Sequence, residues 1–277
     1  MNLYIQPKSV EEAVVALSEQ PLFILAGGTD YYPARAGKPL DDDILDISCI
    51  TELRKISEKE DHFYIGATTR WSDLIDADLP PYFDGLKLSA MEVGGKQIQN
   101  TGTVGGNICN ASPAADGIPA LLSLNAEVIL ASSRNKHSMP LAKFIMGNRK
   151  TRCASDEIVT GFRIPKPDHP ATATFLKLGS RRYLVISIAM VAAILERDKD
   201  QIAAARIAVG SCSAVAKRLH LLEKSLVGQP FAPGISQQVS EAHLNQLSPI
   251  KDIRGTAEYR KDAALILVRR ALEQLVA

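Results

Sequence analysis

The sequence predicts an α+β chain, with an α/β N-terminal portion followed by a smaller portion of strands and helices. Three features predict it. Short apolar runs alternate with helical-period segments through residue 165. A polar, proline-bearing stretch, "KPDHPATATF", then interrupts the pattern and marks the main domain boundary. Beyond it, strand-like runs give way to about seventy residues that are mostly helical in period.

In "KSVEEAVVALSEQ", Ser9 is placed to cap a helix, with Glu12 at the capping-box spacing. Val10, Ala13, Val14 and Leu17 then recur on one helical face. "LFIL" is too short for a helix and reads as a buried strand ending at two glycines. A helix is expected after them, and "DDDILDIS" supplies the next strand. "ISEKEDHFYIGATTRWSDLI" reads as a hairpin turning near Asp61 and running into a helix, with Trp71, Leu74 and Ile75 on one face. A stretch rich in small residues follows, then a helix from about Ile118 to Leu124 and the strands "EVILAS" and "DEIVTGFRIP", the last stopped by Pro165. The apolar run Val185 to Leu195 is compatible with a buried helix or a strand, because its mix of Ile, Val and Ala does not decide. "AVAKRLHLLEKSLVG", "ISQQVSEAHLNQL" and "AEYRKDAALILVRRALEQLV" are read as helices.

The composition is that of an ordinary globular protein: 277 residues, 46% hydrophobic and 23% charged. A formal net charge of +1 argues against nucleic acid as a partner. Cys49, Cys109, Cys153 and Cys212 lie tens of residues apart with no C-x-x-C pair, so they are expected as reduced thiols, with no metal or cluster site in this chain. No signal peptide and no window of about 18 apolar residues is found, so no membrane span is expected and the reading is cytoplasmic. His62, His137, His169, His220 and His243 stand in polar contexts and suggest no catalytic cluster.

Two segments bear on chemistry. "AGGTD", residues 26–30, and "NTGTVGGNICNASPAADG", residues 100–117, each place Gly-Gly in what reads as a polar loop beside strand-like sequence. Glycine allows positive φ and lets a ligand approach the backbone with no Cβ in the way. Successive free N–H groups in such turns form an anion site. Thr29, Thr103 and Asn107 add hydroxyl and amide groups. Two such turns facing each other suit two linked phosphates, and so a dinucleotide. G-x-G-x-x-G after a strand and G-x-x-x-x-G-K-[ST] are both missing, which disfavours a Rossmann or P-loop site.

With "LAGGTD", "TGTVGGNICNASPAADGIPALLSLNAEVIL", "DEIVTGFRIP" and "DIRGTAEYRKDAALILVRRAL", the chain resembles the FAD-binding medium subunit of the molybdenum hydroxylases, the xanthine dehydrogenase and carbon monoxide dehydrogenase family, over about residues 1–275. The resemblance implies two α/β subdomains of the vanillyl-alcohol-oxidase-like FAD-binding fold, about 1–56 and 57–168, and a C-terminal domain, 169–277, of antiparallel sheet and helices. It implies an oxidoreductase subunit with FAD in this chain. The [2Fe–2S] clusters and molybdopterin are expected only in partners, an iron–sulfur small subunit and a molybdopterin-binding large subunit, assembled as a dimer of heterotrimers. Substrate is hydroxylated on the molybdenum subunit, and electrons pass through the clusters to FAD and on to NAD, dioxygen or another acceptor.

The resemblance also assigns residues. Leu25, Ala26, Gly27, Gly28, Thr29 and Asp30 fall where the family binds the pyrophosphate, and Thr103, Val104, Gly105, Gly106 and Asn107 form the partner turn. Asp116 matches an acid on the adenosine side, although by itself it also suits a cap for the helix near Ile118. Val93 and Val159 match apolar cofactor-lining positions. Lys177 matches a lysine near the flavin, and Tyr183 a tyrosine that shields the ring in some members. No catalytic residue or metal ligand is assigned. The alternative is a self-contained FAD-dependent oxidoreductase of the same fold acting on its own small substrate.

Overall fold

The computed structural model describes residues 3–277. It opens with β1 (Tyr4–Ile5) and α1 (Val10–Glu19). Ser9 caps α1 through its hydroxyl, which accepts the Glu12 N–H at 3.1 Å. The Glu12 carboxylate reaches back to the Lys8 N–H at 2.7 Å, one residue earlier than a capping box would place it. The helix buries Ala13, Val14, Ala16 and Leu17.

β2 (Phe23–Leu25), α2 (Tyr31–Ala34) and β3 (Ile44–Asp46) follow. The three strands form a parallel sheet in the order β1-β3-β2. β2 is therefore an edge, which corrects the expectation of a buried strand: Leu25 is buried but Phe23 is 40% exposed. The helix after the glycines is a single turn.

β4 (Ile56–Glu58) and β5 (His62–Gly66) form the expected hairpin, and α3 (Trp71–Asp76) follows it. Trp71 and Leu74 are fully buried. Next come α4 (Asp84–Glu92), α5 (Lys96–Gln99), α6 (Val104–Asn110), α7 (Gly117–Ser123), β6 (Glu127–Ala131), β7 (Lys136–Pro140), α8 (Leu141–Phe144), the small hairpin β8 (Ile145–Gly147) and β9 (Lys150–Thr151), and β10 (Ile158–Pro165). β10 lies at the centre of an antiparallel sheet, β4-β5-β10-β6-β7. Phe162 and Ile164 on β10 join Phe63, Trp71, Leu121 and Leu130 in the largest core.

β11 (Ala171–Leu178), β12 (Ala189–Asp198), β13 (Gln201–Gly210) and β14 (Lys217–Arg218) make a second antiparallel sheet in sequential order. α9 (His220–Leu226) and α10 (Ala257–Val276) complete the chain. The ambiguous apolar run is thus a strand. Its alternate residues part to two cores: Met190, Ala192 and Ile194 face the N-terminal core with Phe175 and Leu121, while Val191, Ala193 and Leu195 face α9 and α10 through Leu222, Leu267 and Val268. An inner strand covered on both faces shows no polar alternation, which is why period alone could not identify it. The predicted helix over 235–247 is two short 3₁₀ turns, Ile235–Gln238 and Glu241–Leu244. Val239, in extended conformation, ends the first, and Ser240 starts the second with its N–H donating to the His243 Nδ1 at 3.1 Å, so helical continuity is broken between them.

Phe162→Ala removes a ring with no exposed surface at the centre of the larger sheet. It is expected to cost about 3–5 kcal/mol, read as a lower midpoint in urea unfolding with an unchanged slope.

Candidate functional site

Past Leu25 the chain leaves the sheet as a turn with almost no side chain. A Cβ on Gly27 would lie 2.0 Å from the Thr101 carbonyl oxygen. Gly28 has φ +67°, and its Cβ would lie 2.6 Å from the Tyr32 ring. The turn is thus pressed between the 101–102 backbone and an aromatic ring, and its glycines are required by that contact as well as by any ligand. The close fit leaves the amides of Gly27, Gly28, Thr29 and Asp30 with no protein acceptor among the described residues.

The second glycine pair differs from the polar loop expected. It occupies the first turn of α6, capped by Thr103, whose Oγ1 accepts the Gly106 N–H at 3.0 Å. The Val104 N–H donates to the Thr69 carbonyl at 2.9 Å, and the Gly105 N–H to the Ala67 carbonyl at 2.8 Å. These amides are spent within the protein. Gly105 is a packing glycine, since its Cβ would meet the Ala67 carbonyl oxygen at 2.6 Å. Val104 is wholly buried in the core and does not reach the cleft. Gly106 faces the cleft, and an added Cβ would meet only the Thr103 hydroxyl.

Both segments line one open cleft of about 870 Å³, within the ~300–1,000 Å³ usual for cofactor and ligand sites. Leu25, Ala26, Gly27, Gly28, Thr29 and Asp30 line it, as do Val93, Thr103, Gly105, Gly106, Asn107, Asp116 and Val159. The Asn107 Oδ1 is buried there without a partner, an unmet polar group that a ligand would satisfy.

Asp116 stands at the N-cap position of α7, but its carboxylate makes no cap bond. It accepts from the Lys177 Nζ at 2.8 Å and from the Ser187 hydroxyl at 2.6 Å. Both charged side chains are at least nine-tenths buried. The lysine also donates to the Glu92 carbonyl at 3.2 Å. Burial pushes the Asp116 carboxyl above its ordinary pKa, against the opposing pull of the Lys177 ammonium and the Ser187 hydroxyl. Lys177 is therefore one half of a buried ion pair behind the cleft wall. Tyr183 is 63% exposed and lies outside the cleft, with Arg182 donating to its hydroxyl at 3.1 Å. The loop carries Leu184, Val185 and Ile186 into the lining instead.

Several lining residues escaped the sequence reading. A third Gly-Gly pair, Gly94–Gly95, lies in the wall, with φ +57° at Gly94. The repeated dipeptide was a signal that could have found it. Phe23, Tyr31 and Arg35 line the cleft as a stack, with the guanidinium 3.8 Å from the Tyr31 ring centroid and paired with Asp42 at 2.6 Å. Nothing in their spacing announces this. Cys109 and Cys153 also line the cleft; Cys109 is exposed, whereas burial of the half-buried Cys153 pushes its thiol up to about 12, so Cys153 is not an activated nucleophile.

Comparison with known proteins matches this geometry to a family. Residues 1–167 match the FAD binding domain in molybdopterin dehydrogenase, and residues 174–275 the CO dehydrogenase flavoprotein C-terminal domain. The glyceraldehyde dehydrogenase medium chain of Sulfolobus acidocaldarius is 29% identical over 98% of this chain and 97% of its own. The carbon monoxide dehydrogenase medium chain of Hydrogenophaga pseudoflava is also 29% identical, over 97% and 95%. A solved structure of carbon monoxide dehydrogenase from that organism, lacking the Mo-pyranopterin moiety of its molybdenum cofactor, superposes with a TM-score of 0.89 at 28% identity, covering 99% of this chain and 96% of that one. The chain belongs to the FAD-binding medium subunits of the molybdenum hydroxylase family and is a flavoprotein oxidoreductase subunit.

Proposed function

We propose that the chain is the electron-transfer subunit of a cytoplasmic molybdenum hydroxylase. It takes electrons from the [2Fe–2S] clusters of a small subunit and passes them to NAD or another acceptor. Its partners are that iron–sulfur subunit and a molybdopterin-binding large subunit, assembled as a dimer of heterotrimers. One observation carries the cofactor reading: four consecutive residues that line the cleft, Gly27 to Asp30, have backbone amides without protein acceptors among the described residues, and Asn107 in the same lining has an unpartnered Oδ1. FAD, when bound, supplies redox chemistry that no side chain in the cleft provides.

The chain's own residues bind and orient. The free amides of the first turn are suited to the pyrophosphate, and the α6 turn contributes shape and the Asn107 side chain. Asp116 and Lys177 are one bonded pair, so we assign both to the flavin end of the site, in place of separate adenosine and flavin contacts. A net-neutral pair held by Ser187 fixes the wall next to Val93 without leaving a lone buried charge. The exposed run Tyr183, Leu184 and Ile186 beside the cleft is an apolar surface of the kind that meets another protein, which supports a partner-bound subunit over a self-contained enzyme.

The purified protein is expected to show a flavin absorption band near about 450 nm and to co-purify with the two partner subunits. A colourless monomer that stays colourless with added FAD overturns the reading. Gly106→Val adds a side chain at a residue that lines the cleft, and its Cβ, 2.9 Å from the Thr103 hydroxyl, makes that one neighbour shift. It is expected to weaken FAD binding by about tenfold or more, at least ~1.4 kcal/mol, while the far-ultraviolet circular dichroism stays unchanged.

Lys177→Met leaves Asp116 buried with only Ser187 for support, and should cost about 3–5 kcal/mol at neutral pH. The sign with pH follows from the raised carboxyl. The folded variant holds a proton that the unfolded chain has lost, so its stability falls as pH rises from the ordinary carboxylate range through the raised pKa. Urea midpoints measured at several pH values test this, and a midpoint independent of pH contradicts it.

A further inference from the structure

The C-terminal segment "DIRGTAEYR" has no contact with the cleft, yet it ends in a charged side chain that is 3% exposed. Thr256 caps α10 by accepting the Tyr259 N–H at 3.1 Å, and this sets Arg260 in the first turns of the helix. The guanidinium then reaches three oxygens. Nη2 donates to the Asp252 carboxylate at 2.7 Å, and Nη1 donates to the Ile188 carbonyl at 2.6 Å and to the Ser211 carbonyl at 3.2 Å. Asp252 is itself held by the Arg254 N–H at 2.8 Å.

The two carbonyls belong to segments that carry one wall of the site. Ile188 follows Ser187, whose hydroxyl holds Asp116. Ser211 donates its N–H to the Pro113 carbonyl at 3.0 Å, between the cleft-lining residues Ser112 and Ala114. One planar cation thus ties together the bend that follows β13, the loop entering β12 and, through them, residues 112–116. A guanidinium suits this because its donors are fixed in one plane and its charge is permanent. Two backbone acceptors and a carboxylate in one buried spot make it an anchor whose loss leaves several oxygens without donors.

We propose that Arg260 is a positioning residue for the flavin site, holding Ser187 and the 112–116 segment where FAD needs them; this rests on the FAD reading above. The role is distinct from that of the apolar face of the same helix, where Leu267 and Val268 belong to the C-terminal core with Val191 and Leu195 of β12.

The test compares Arg260→Met, Arg260→Lys and the control Leu267→Ala in the full chain, measuring thermal stability, the Kd for FAD, and the visible circular dichroism of the bound flavin. Both Arg260→Met and Leu267→Ala are expected to lower the melting temperature. Only Arg260→Met is expected to weaken FAD binding, by about tenfold or more, and to change the flavin circular dichroism, with Arg260→Lys recovering part of both. If Arg260→Met binds FAD within about twofold of the parent, or if Leu267→Ala weakens binding as much, Arg260 is merely structural and the proposal fails. Should Arg260→Met not fold, Arg260→Lys and Asp252→Asn are judged against Leu267→Ala by the same criterion. A parent protein that takes up no FAD fails the functional reading itself, whereas normal uptake with an insensitive Arg260 fails only this inference.

Discussion

The backbone at Gly27 meets the backbone of Thr101 and Gly102 directly, and the site depends on that contact. Gly27 lies so close to the Thr101 carbonyl that any larger residue would force them apart. The closeness holds in place a turn whose amides, Gly27 to Asp30, find no protein acceptor among the described residues. It also sets where Thr103 begins α6, because Thr101 and Gly102 are held by the Ile98 carbonyl on one side and by the turn on the other. The parallel sheet of the first fifty residues and the antiparallel sheet around β10 are joined by a shared core, in which Leu17 and Leu45 cluster with Ala131 and Ile158.

The C-terminal sheet completes the cleft by gripping α7 at both ends. Lys177 on β11 and Ser187 hold Asp116 at its start. At its end, Arg206 on β13 donates to the Ser123 carbonyl at 2.8 Å and Arg218 on β14 to the Leu122 carbonyl at 3.1 Å. Cations at the final carbonyls of a helix satisfy acceptors that have no intrahelical donor. Each arginine is paired in turn with a buried acid, Glu196 and Glu223. The grip therefore introduces no uncompensated charge, and it ties the sheet to the wall of the site through polar contacts as well as through Met190, Ala192 and Ile194.

Much of this was legible in the sequence where local chemistry decides. The Ser9 cap, the hairpin near Asp61, the strand ended by Pro165 and the glycine turn after "LFIL" each follow from turn, cap or proline rules that need no tertiary contact. The site was legible where it is built from backbone, as at Gly27 and Gly28. It was less so where long-range pairing sets the role. Asp116 and Lys177 are 61 residues apart, and no spacing rule joins them. Gly105 serves packing because Ala67 happens to lie against it, a fact of the folded state alone. Tyr183 illustrates the same limit, since the conformation of one loop leaves it outside the cleft and puts its neighbour Leu184, at φ +53° and still exposed, in the lining instead.

The half-buried cysteine of the cleft wall, Cys153, has a consequence for life beside a redox cofactor. Burial pushes its thiol up to about 12, so little of it is thiolate at neutral pH. Peroxide attacks the thiolate form, so this sulfur is shielded from the oxidant most readily made when a reduced flavin meets dioxygen.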